Sequence, residues 1–464
     1  MKLTIVMPYF NRKIQLLTTL KTINLTNYPH NDFEAIIIDD GSDADQRIED
    51  LVGKFDFGIN LIRVNKEEKV WQEPLPLINK VVRECSSEII ILQNSECCHA
   101  GDVISYAIEN SDKNKYLSFG SFNVSGKIAP KIWDLEIPSK EEILNIICNF
   151  LISPTQWAGE AWWYNHSVHR PAGYYFCSSM LREDYIEIGG LNEEFAYGVN
   201  FCDDEFMRRI RNKKKLVFVD DPFTVHLYHP SHLYMRDQSF ANRNRRIYDE
   251  IVSGKTNIDD PILSILICSV TDRKELLDRL LAILNPQIKD RNNIELLILS
   301  DNAEKSIGQK RNDALAVAKG QYVCFIDDDD TVSTNYVDLI LEQIYMSRPD
   351  AIVFDVEQTT NGQNPKLMKF GKEYEHSEKN GIYYRLPNHL MVFKKSIITE
   401  RFPDLKFGED WEWASRMKKK INSQSRINKV LYYYDYNPSL KRYFDRKDIE
   451  YSYKLFDEYR KMEV

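Results

Sequence analysis

Strand–helix–strand alternation, running twice along the chain, predicts an α/β fold of two tandem domains, each built on a mostly parallel sheet. Three observations carry this. Short apolar runs of strand length (residues 2–7, 33–38, 263–268 and 294–299) alternate with stretches whose apolar residues recur at helical spacing. The runs end in polar residues, and the carboxyl ends of strands are where such sheets bind ligands. The second half repeats the order of the first, the mark of an internal repeat.

The elements follow in order. Residues 2–7 lead into Pro8-Tyr9-Phe10-Asn11-Arg12, and Ile14, Leu16, Leu17, Leu20 and Ile23 mark a helix. Residues 33–38 form the next strand and close on Asp39-Asp40-Gly41-Ser42. A helix over 76–85 and a strand over 88–92 complete the first cycle. The second cycle opens with 263–268, followed by Ser269-Val270-Thr271-Asp272-Arg273 and a helix marked by Leu276, Leu277, Leu280, Leu281 and Leu284. Strand 294–299 ends in Ser300-Asp301-Asn302, and helix 307–318 and strand 321–326 follow. The polar stretch between the halves sets the expected division: domains over 1–240 and 261–464, joined over 241–260 by a linker or inter-domain helix.

Composition narrows the function classes. At roughly 150 residues per domain, 464 residues allow two or three domains with real cores. With 43% hydrophobic and 28% charged residues, wholesale disorder and fibrous repeats are excluded. No apolar run approaches the ~18 residues of a membrane span, and the N-terminus lacks the pattern of a secretory leader. Eight cysteines without a CxxC pair indicate neither a disulfide framework nor a zinc site, so a cytoplasmic protein is expected. The net charge of −9 argues against a general nucleic-acid binder.

The chemistry concentrates at strand ends. Gly308-Gln309-Lys310-Arg311-Asn312 runs through Ala318-Lys319-Gly320 to Phe325-Ile326-Asp327-Asp328-Asp329-Asp330. Consecutive carboxylates at a strand end repel unless cations neutralise them, and Mg²⁺ or Mn²⁺ commonly bridge such oxygens to phosphates. A solvated acidic turn is the plainer alternative.

This constellation resembles the family 2 glycosyltransferases, whose GT-A fold is a Rossmann-like nucleotide-sugar-binding domain. The resemblance implies that Asp327 contacts the donor's ribose or sugar and shares metal binding with Asp329, which holds the ion on the diphosphate. Arg311 and Asn312 then belong to the donor-binding helix, and Asp301 corresponds to the early aspartate that reads the base, although the family's Asp-Asp-Gly-Ser is Ser-Asp-Asn-Ala here. The family's catalytic base lies in a Glu-Asp pair at a helix start, which Phe407-Gly408-Glu409-Asp410-Trp411 matches, making Asp410 the base. A helix N-terminus also favours acidic residues on its own account.

The first half resembles the same family through Pro8, Asn11 and Arg12 and through Asp39 and Asp40, which imply donor binding, with Gly41 permitting the tight turn. Where the acidic motif belongs it has Gln93-Asn94-Ser95-Glu96 instead. Gly189-Gly190-Leu191-Asn192-Glu193-Glu194-Phe195 is similar to the acceptor segment of galactosyltransferase-type domains, leading to Cys202-Asp203-Asp204-Glu205. Asp203 is thereby set opposite Asp410, with Asp204 as second choice. His226 falls where related enzymes carry a metal-ligating histidine, so Glu96 with His226 is a possible Mn²⁺ site, or His226 is a structural histidine. Trp157, Trp162 and Trp163 with His166 and His169 form an aromatic cluster suited either to sugar stacking or to a core. Tyr432-Tyr433-Tyr434 reads as packing. Lys213-Lys214-Lys215 and the arginines of 243–246 are basic runs, solvated or in contact with a polyanion.

The expected activity is inverting transfer of a sugar from a nucleotide-diphosphate donor, UDP-sugar foremost, to a hydroxyl on a glycan, with Mn²⁺ or Mg²⁺. Two active domains would suit polysaccharide assembly. The alternatives are a domain that binds carbohydrate without turnover, and a nucleic-acid or protein acceptor. Segments 100–188 and 345–400 are not diagnostic.

Overall fold

The computed structural model describes residues 1–151, 160–230 and 237–436, with Lys447, Glu450, Tyr451 and Lys454 beyond them. The chain forms two compact units, Met1–Thr256 and Asn257–Val464.

The first unit's strands are β1 (Leu3–Tyr9), β2 (Phe33–Asp39), β3 (Gly58–Arg63), β4 (Ile89–Gln93), β5 (Cys97–Ala100), β6 (Lys115–Val124), β7 (Ala161–Asn165), β8 (Cys177–Leu181) and β9 (Lys215–His226). They run in the order β3-β2-β1-β4-β8-β6-β9-β5, with β7 on β6. β3, β2, β1 and β4 are parallel, β8 is antiparallel to both neighbours, and β9 runs parallel to β6. Leu3, Ile5, Val6 and Met7 of β1 are all fully buried, as a strand covered on both faces requires. Helix Lys13–Ile23 closes one face with Leu16, Leu20 and Ile23, three and four residues apart on one stripe.

The second unit's strands are β10 (Leu263–Val270), β11 (Ile294–Asp301), β12 (Tyr322–Phe325), β13 (Thr331–Val332), β14 (Ala351–Thr360), β15 (Gln363–Phe370), β16 (Ser377–Lys379), β17 (Ile382–Arg385), β18 (Val392–Lys394) and β19 (Gln424–Tyr436). The order β11-β10-β12-β18-β14-β15-β17-β16, with β19 beside β14, repeats the centre of the first sheet. The parallel trio β11-β10-β12 matches β2-β1-β4, antiparallel β18 matches β8, and the parallel pair β14–β19 matches β6–β9. Both sheets are therefore mixed. The antiparallel strands come largely from 100–188 and 345–400, where the sequence carries no sharp pattern. Helix Gln238–Val252, spanning most of 241–260, buries Asn244, Ile247 and Ile251 and counts with the first unit.

Two local devices recur or stand out. Glu205 and Arg209 form a buried two-bonded pair (2.8 and 2.7 Å), and Arg209 also donates to the carbonyls of Ile188 and Gly190, pinning the Gly-Gly turn. Glu412 and Arg416 repeat the pair at 2.6 Å for both bonds. Gly308 opens helix Ile307–Val317 against the 402–405 segment so closely that a Cβ would sit 1.9 Å from the Pro403 carbonyl oxygen. Removing one member of a buried pair leaves the other charge unpaired, so Arg209→Ala is expected to cost about 3–5 kcal/mol in urea unfolding. Gly308→Ala should also destabilise, whereas Gly254→Ala, facing open space, tests backbone strain alone.

Candidate active site

The second unit's parallel strands deliver their carboxyl ends to one cavity of about 720 Å³, lined among others by Arg273, Lys310, Arg311, Asp327, Asp328, Asp329, His389, Asp410 and Tyr434. Beyond β12 the four aspartates divide by face. Asp328 and Asp330 are buried, whereas the Asp327 and Asp329 side chains keep 31% and 22% of their exposure. Asp328 accepts from the Ser269 hydroxyl (2.6 Å) and Arg273 (2.7 Å), and Asp330 accepts from the Tyr432 hydroxyl (2.7 Å). The same Tyr432 oxygen accepts from the Asp327 amide at 3.0 Å, so this tyrosine fastens the acidic turn as well as packing.

Charge is distributed unevenly along the turn. Burial pushes Asp328 up to about 6 against the pull of Ser269 and Arg273. Burial also raises Asp329, with Asp327 adding and Arg273 opposing. Asp327 goes the other way: burial would raise it, but His389 and Arg311 hold it well below the usual range. Arg311 is buried, donates to Asp327 (3.1 Å) and to Glu409, and lies against the rings of both Phe325 and Phe402.

Asp410 arrives from a different element. Gly408 adopts φ +78°, a left-handed turn that suits glycine, and starts helix Glu409–Met417 with its first carboxylates toward the cavity. Asn388 donates to Asp410 Oδ2 at 3.1 Å, and His389 stands between Asp410 (Nδ1, 3.6 Å) and Asp327 (Nε2, 3.2 Å). Asp301 ends β11 and holds Lys310 at 2.8 Å; Lys310 lines the cavity and Asp301 lies behind it. Asn312 exchanges two hydrogen bonds with the Phe402 backbone and braces the helix rather than reaching the cavity.

In the first unit Asp39 is buried, accepts from the Ser42 amide (2.9 Å) and pairs with Arg63 (2.9 Å). Asp40 binds Lys69 (2.5 Å) and the Trp71 indole (2.8 Å). Pro8 lies in β1, and Asn11, at φ +51°, ties its side chain to Asp43. Antiparallel β5–β9 pairing sets Cys97 opposite His226, which brings Glu96 to that histidine. Glu96 Oε1 lies 3.3 Å from His226 Nε2, 3.5 Å from His229 Nε2 and 2.7 Å from Arg12. Burial alone would raise this carboxyl, but Arg12 and then the imidazoles hold it well below its ordinary value. One ligand atom from each of Glu96, His226 and His229 fits within 4.8 Å of the others.

Asp203 follows Phe201, which takes the left-handed conformation (φ +67°) that Gly408 takes in the second unit. With the Glu205–Arg209 and Glu412–Arg416 pairs in register, Asp203 matches Asp410, and Cys202 stands where Glu409 stands. Burial, with Glu73 and Asp204 adding and Arg170 opposing, pushes Asp203 up to about 8. Asp204 instead accepts from the Tyr174 hydroxyl at 2.5 Å and lines a separate recess.

The structure thus brings Asp327, Asp329, Arg311 and Asp410 together, and separately Arg12, Glu96 and His226. Sequence reasoning missed Arg273, Asn388, His389 and His229. The first lies in the segment repeating Pro8–Arg12, and the last is three residues beyond His226, so both had a signal; Asn388 and His389 lie in an undiagnostic stretch. Trp163 is buried among Phe122, Phe223 and His169, a core role, and Trp157 lies outside the described residues. Lys214 is no surface charge: it is buried against Asp184 and Glu187 at 2.6 Å each. Arg243 and Arg245 lie over Tyr197 and Phe201.

These doubled Rossmann-like units, with carboxylates gathered at their strand ends, have the GT-A-like architecture. The model for glycosyl transferase family 2 matches residues 4–159 and 270–402, one segment in each unit and together more than half of the chain. The chain belongs to glycosyl transferase family 2. Similar solved structures include residues 1–349 of TarS from S. aureus, at 16% identity over 37% of this chain and 60% of that one, TM-score 0.29. The same fragment in complex with UDP-GlcNAc matches at 17% over 39% and 59%, TM-score 0.29. The mannosyltransferase PcManGT from Pyrobaculum calidifontis, in complex with GDP-Man and Mn²⁺, matches at 14% over 54% and 64%, TM-score 0.33. The chain therefore spans about 60% of the length of the TarS fragment. No curated protein matches it. No helix among the described residues is long and apolar enough to cross a membrane.

Asp203 gives a stability test. Its folded-state value of about 8 exceeds the ordinary 3.8, so the folded protein binds the extra proton and this group's contribution falls as pH rises between the two. The melting temperature of Asp203→Asn relative to wild type is expected to climb from about pH 5 to about pH 9. A difference flat across that range would refute the raised value.

Proposed function

We propose that the second unit catalyses inverting transfer of a sugar from a nucleotide-diphosphate sugar, a UDP-sugar foremost, to a hydroxyl of a glycan acceptor (EC 2.4). The observation that carries the reading is the convergence of Asp327, Asp329 and Asp410 on one cavity, from two distant stretches of chain. Asp327 and Asp329 offer paired, part-exposed carboxylate oxygens, the donor set of a hard divalent cation, and would hold Mn²⁺ or Mg²⁺. Such an ion, when bound, supplies positive charge to a departing diphosphate.

Asp410 would take the proton from the acceptor hydroxyl as that oxygen attacks the anomeric carbon and the bond to diphosphate breaks on the opposite face. Asn388 and His389 orient Asp410, and His389 with Arg311, the latter also paired with Glu409, would keep Asp327 ionised. Lys310, carried by Asp301, faces the donor side of the cavity.

For the first unit the same reading assigns Asp203 as base, with Asp204 second, and Glu96 and His226 as metal ligands, joined by His229. The rival reading is a carbohydrate- or nucleotide-binding module without turnover. It is favoured by Arg12, whose guanidinium already neutralises the carboxylate that replaces the acidic motif. If both units turn over, polysaccharide assembly from two donors follows; a nucleic-acid or protein acceptor is the lesser alternative.

Nucleotide-diphosphate release by the full chain, with several donors and Mn²⁺, tests this. Asp410→Asn is expected to lower turnover by about 10²–10⁴-fold with little change in donor KM. Asp203→Asn should abolish release with a second donor if the first unit is catalytic, and leave all release unchanged if it only binds. Wild-type turnover from both variants would overturn the assignment of both bases.

A further inference from the structure

We infer that Arg273 is an exchangeable counter-ion: it neutralises Asp329 while the metal position is unfilled, then passes to the donor's diphosphate when a cation takes that carboxylate. The inference rests on the reading of Asp327 and Asp329 as metal ligands. It adds a positioning residue and a coupling between metal and nucleotide.

Arg273 spans two carboxylates, donating through one nitrogen to Asp328 Oδ1 at 2.7 Å and through the other to Asp329 Oδ2. Asp328 is also held by Ser269 and is buried, so its part of the contact is fixed. Asp329 is on the cavity side, and Arg273 holds one of its two carboxylate oxygens, Oδ2. A divalent cation on Asp329 competes with the Arg273 contact, for Oδ2 where it binds there and by like-charge repulsion at either oxygen. The Arg273 backbone is anchored as the residue before helix Lys274–Ile288, while its side chain lines the cavity. A released guanidinium at that wall meets an anion whose oxygens match its fork, since phosphate is a bidentate partner for arginine.

The first unit carries the same device. Arg12 immediately precedes helix Lys13–Ile23, as Arg273 precedes its own first helix, and reaches the carboxylate beyond the equivalent strand, Glu96, at 2.7 Å. An arginine at this point of both repeats, on an acidic group of the same strand end, is a property of the architecture rather than an accident of one loop.

The consequence is reciprocal coupling: nucleotide diphosphate favours metal because it accepts the displaced guanidinium, and metal favours nucleotide to the same degree. The test is Mn²⁺ binding by the full chain, read from the electron paramagnetic resonance of free Mn²⁺, with and without UDP. A Glu96→Gln/His226→Ala background silences the first unit's histidine cluster. In the parent, UDP should tighten Mn²⁺ binding about tenfold or more. Arg273→Gln should bind Mn²⁺ alone about 5–10-fold more tightly than the parent and lose most of the UDP effect, and Arg273→Lys should restore part of it.

If Arg273→Gln leaves Mn²⁺ affinity without UDP unchanged or weaker, the exchange is overturned. Asp329→Asn separates the two levels. Loss of Mn²⁺ binding there, with indifference to Arg273→Gln, overturns the exchange alone; Mn²⁺ binding that survives Asp329→Asn overturns the metal reading and the exchange together.

Discussion

Like charges at the end of a buried strand must be neutralised, and in the second unit that requirement organises the residues around β12. Four aspartates follow one another where the strand leaves the sheet, two of them buried and two only part-exposed, so water screens them poorly. Each meets its own set of partners, with Arg273 shared by Asp328 and Asp329. Asp330 is turned inward onto Tyr432, Asp328 onto Ser269 and Arg273, and Asp327 onto Arg311 and His389. Asp329 has Arg273 and retains part of its exposure. The compensators come from β10, the turn after it, helix Ile307–Val317, the loop before β18 and the long strand β19, so the acidic turn ties together elements that are distant in sequence.

The same requirement explains why the two units differ while sharing a plan. In the first unit the strand end carries one carboxylate, Glu96, and one arginine with two imidazoles is enough to balance it. Without an excess of negative charge there is less demand for an external cation, and imidazoles stand where the second unit has carboxylates. The helix-start carboxylate diverges as well. Asp203 has lost the Glu409–Arg311 type of neighbour, its preceding residue being Cys202, and burial among other carboxylates raises it.

Much of this was legible in the residues. Apolar runs of strand length located β1, β2, β4, β10 and β12, because a strand buried on both faces must be continuously apolar, and also β11, an edge strand that is only part-buried. The acidic run, the Glu-Asp pair and the Gly-Gly segment were visible for the same reason: they are local in sequence. Asn312 looked like a donor contact because it neighbours Arg311, yet successive helical residues point about 100° apart, and it faces the 402 backbone instead. Lys214 looked solvated as the middle of a basic run, until the end of helix Cys202–Lys213 turned it inward onto Asp184. His389 lay in a stretch without periodicity, and only the antiparallel β12–β18 pairing brings it beside Asp327.

By itself, then, the sequence determined the doubled α/β plan, the positions of the parallel strands and the identity of most of the acidic groups, since apolar periodicity and clustered carboxylates are properties of neighbouring residues. Tertiary structure decided which of those carboxylates face the cavity, which cation each one meets, and that His229 and Arg12 join Glu96 and His226. Those outcomes depend on strand order and register, which join residues 55 to 133 positions apart (Asp328 with Arg273, Glu96 with His229) and leave no trace in local spacing.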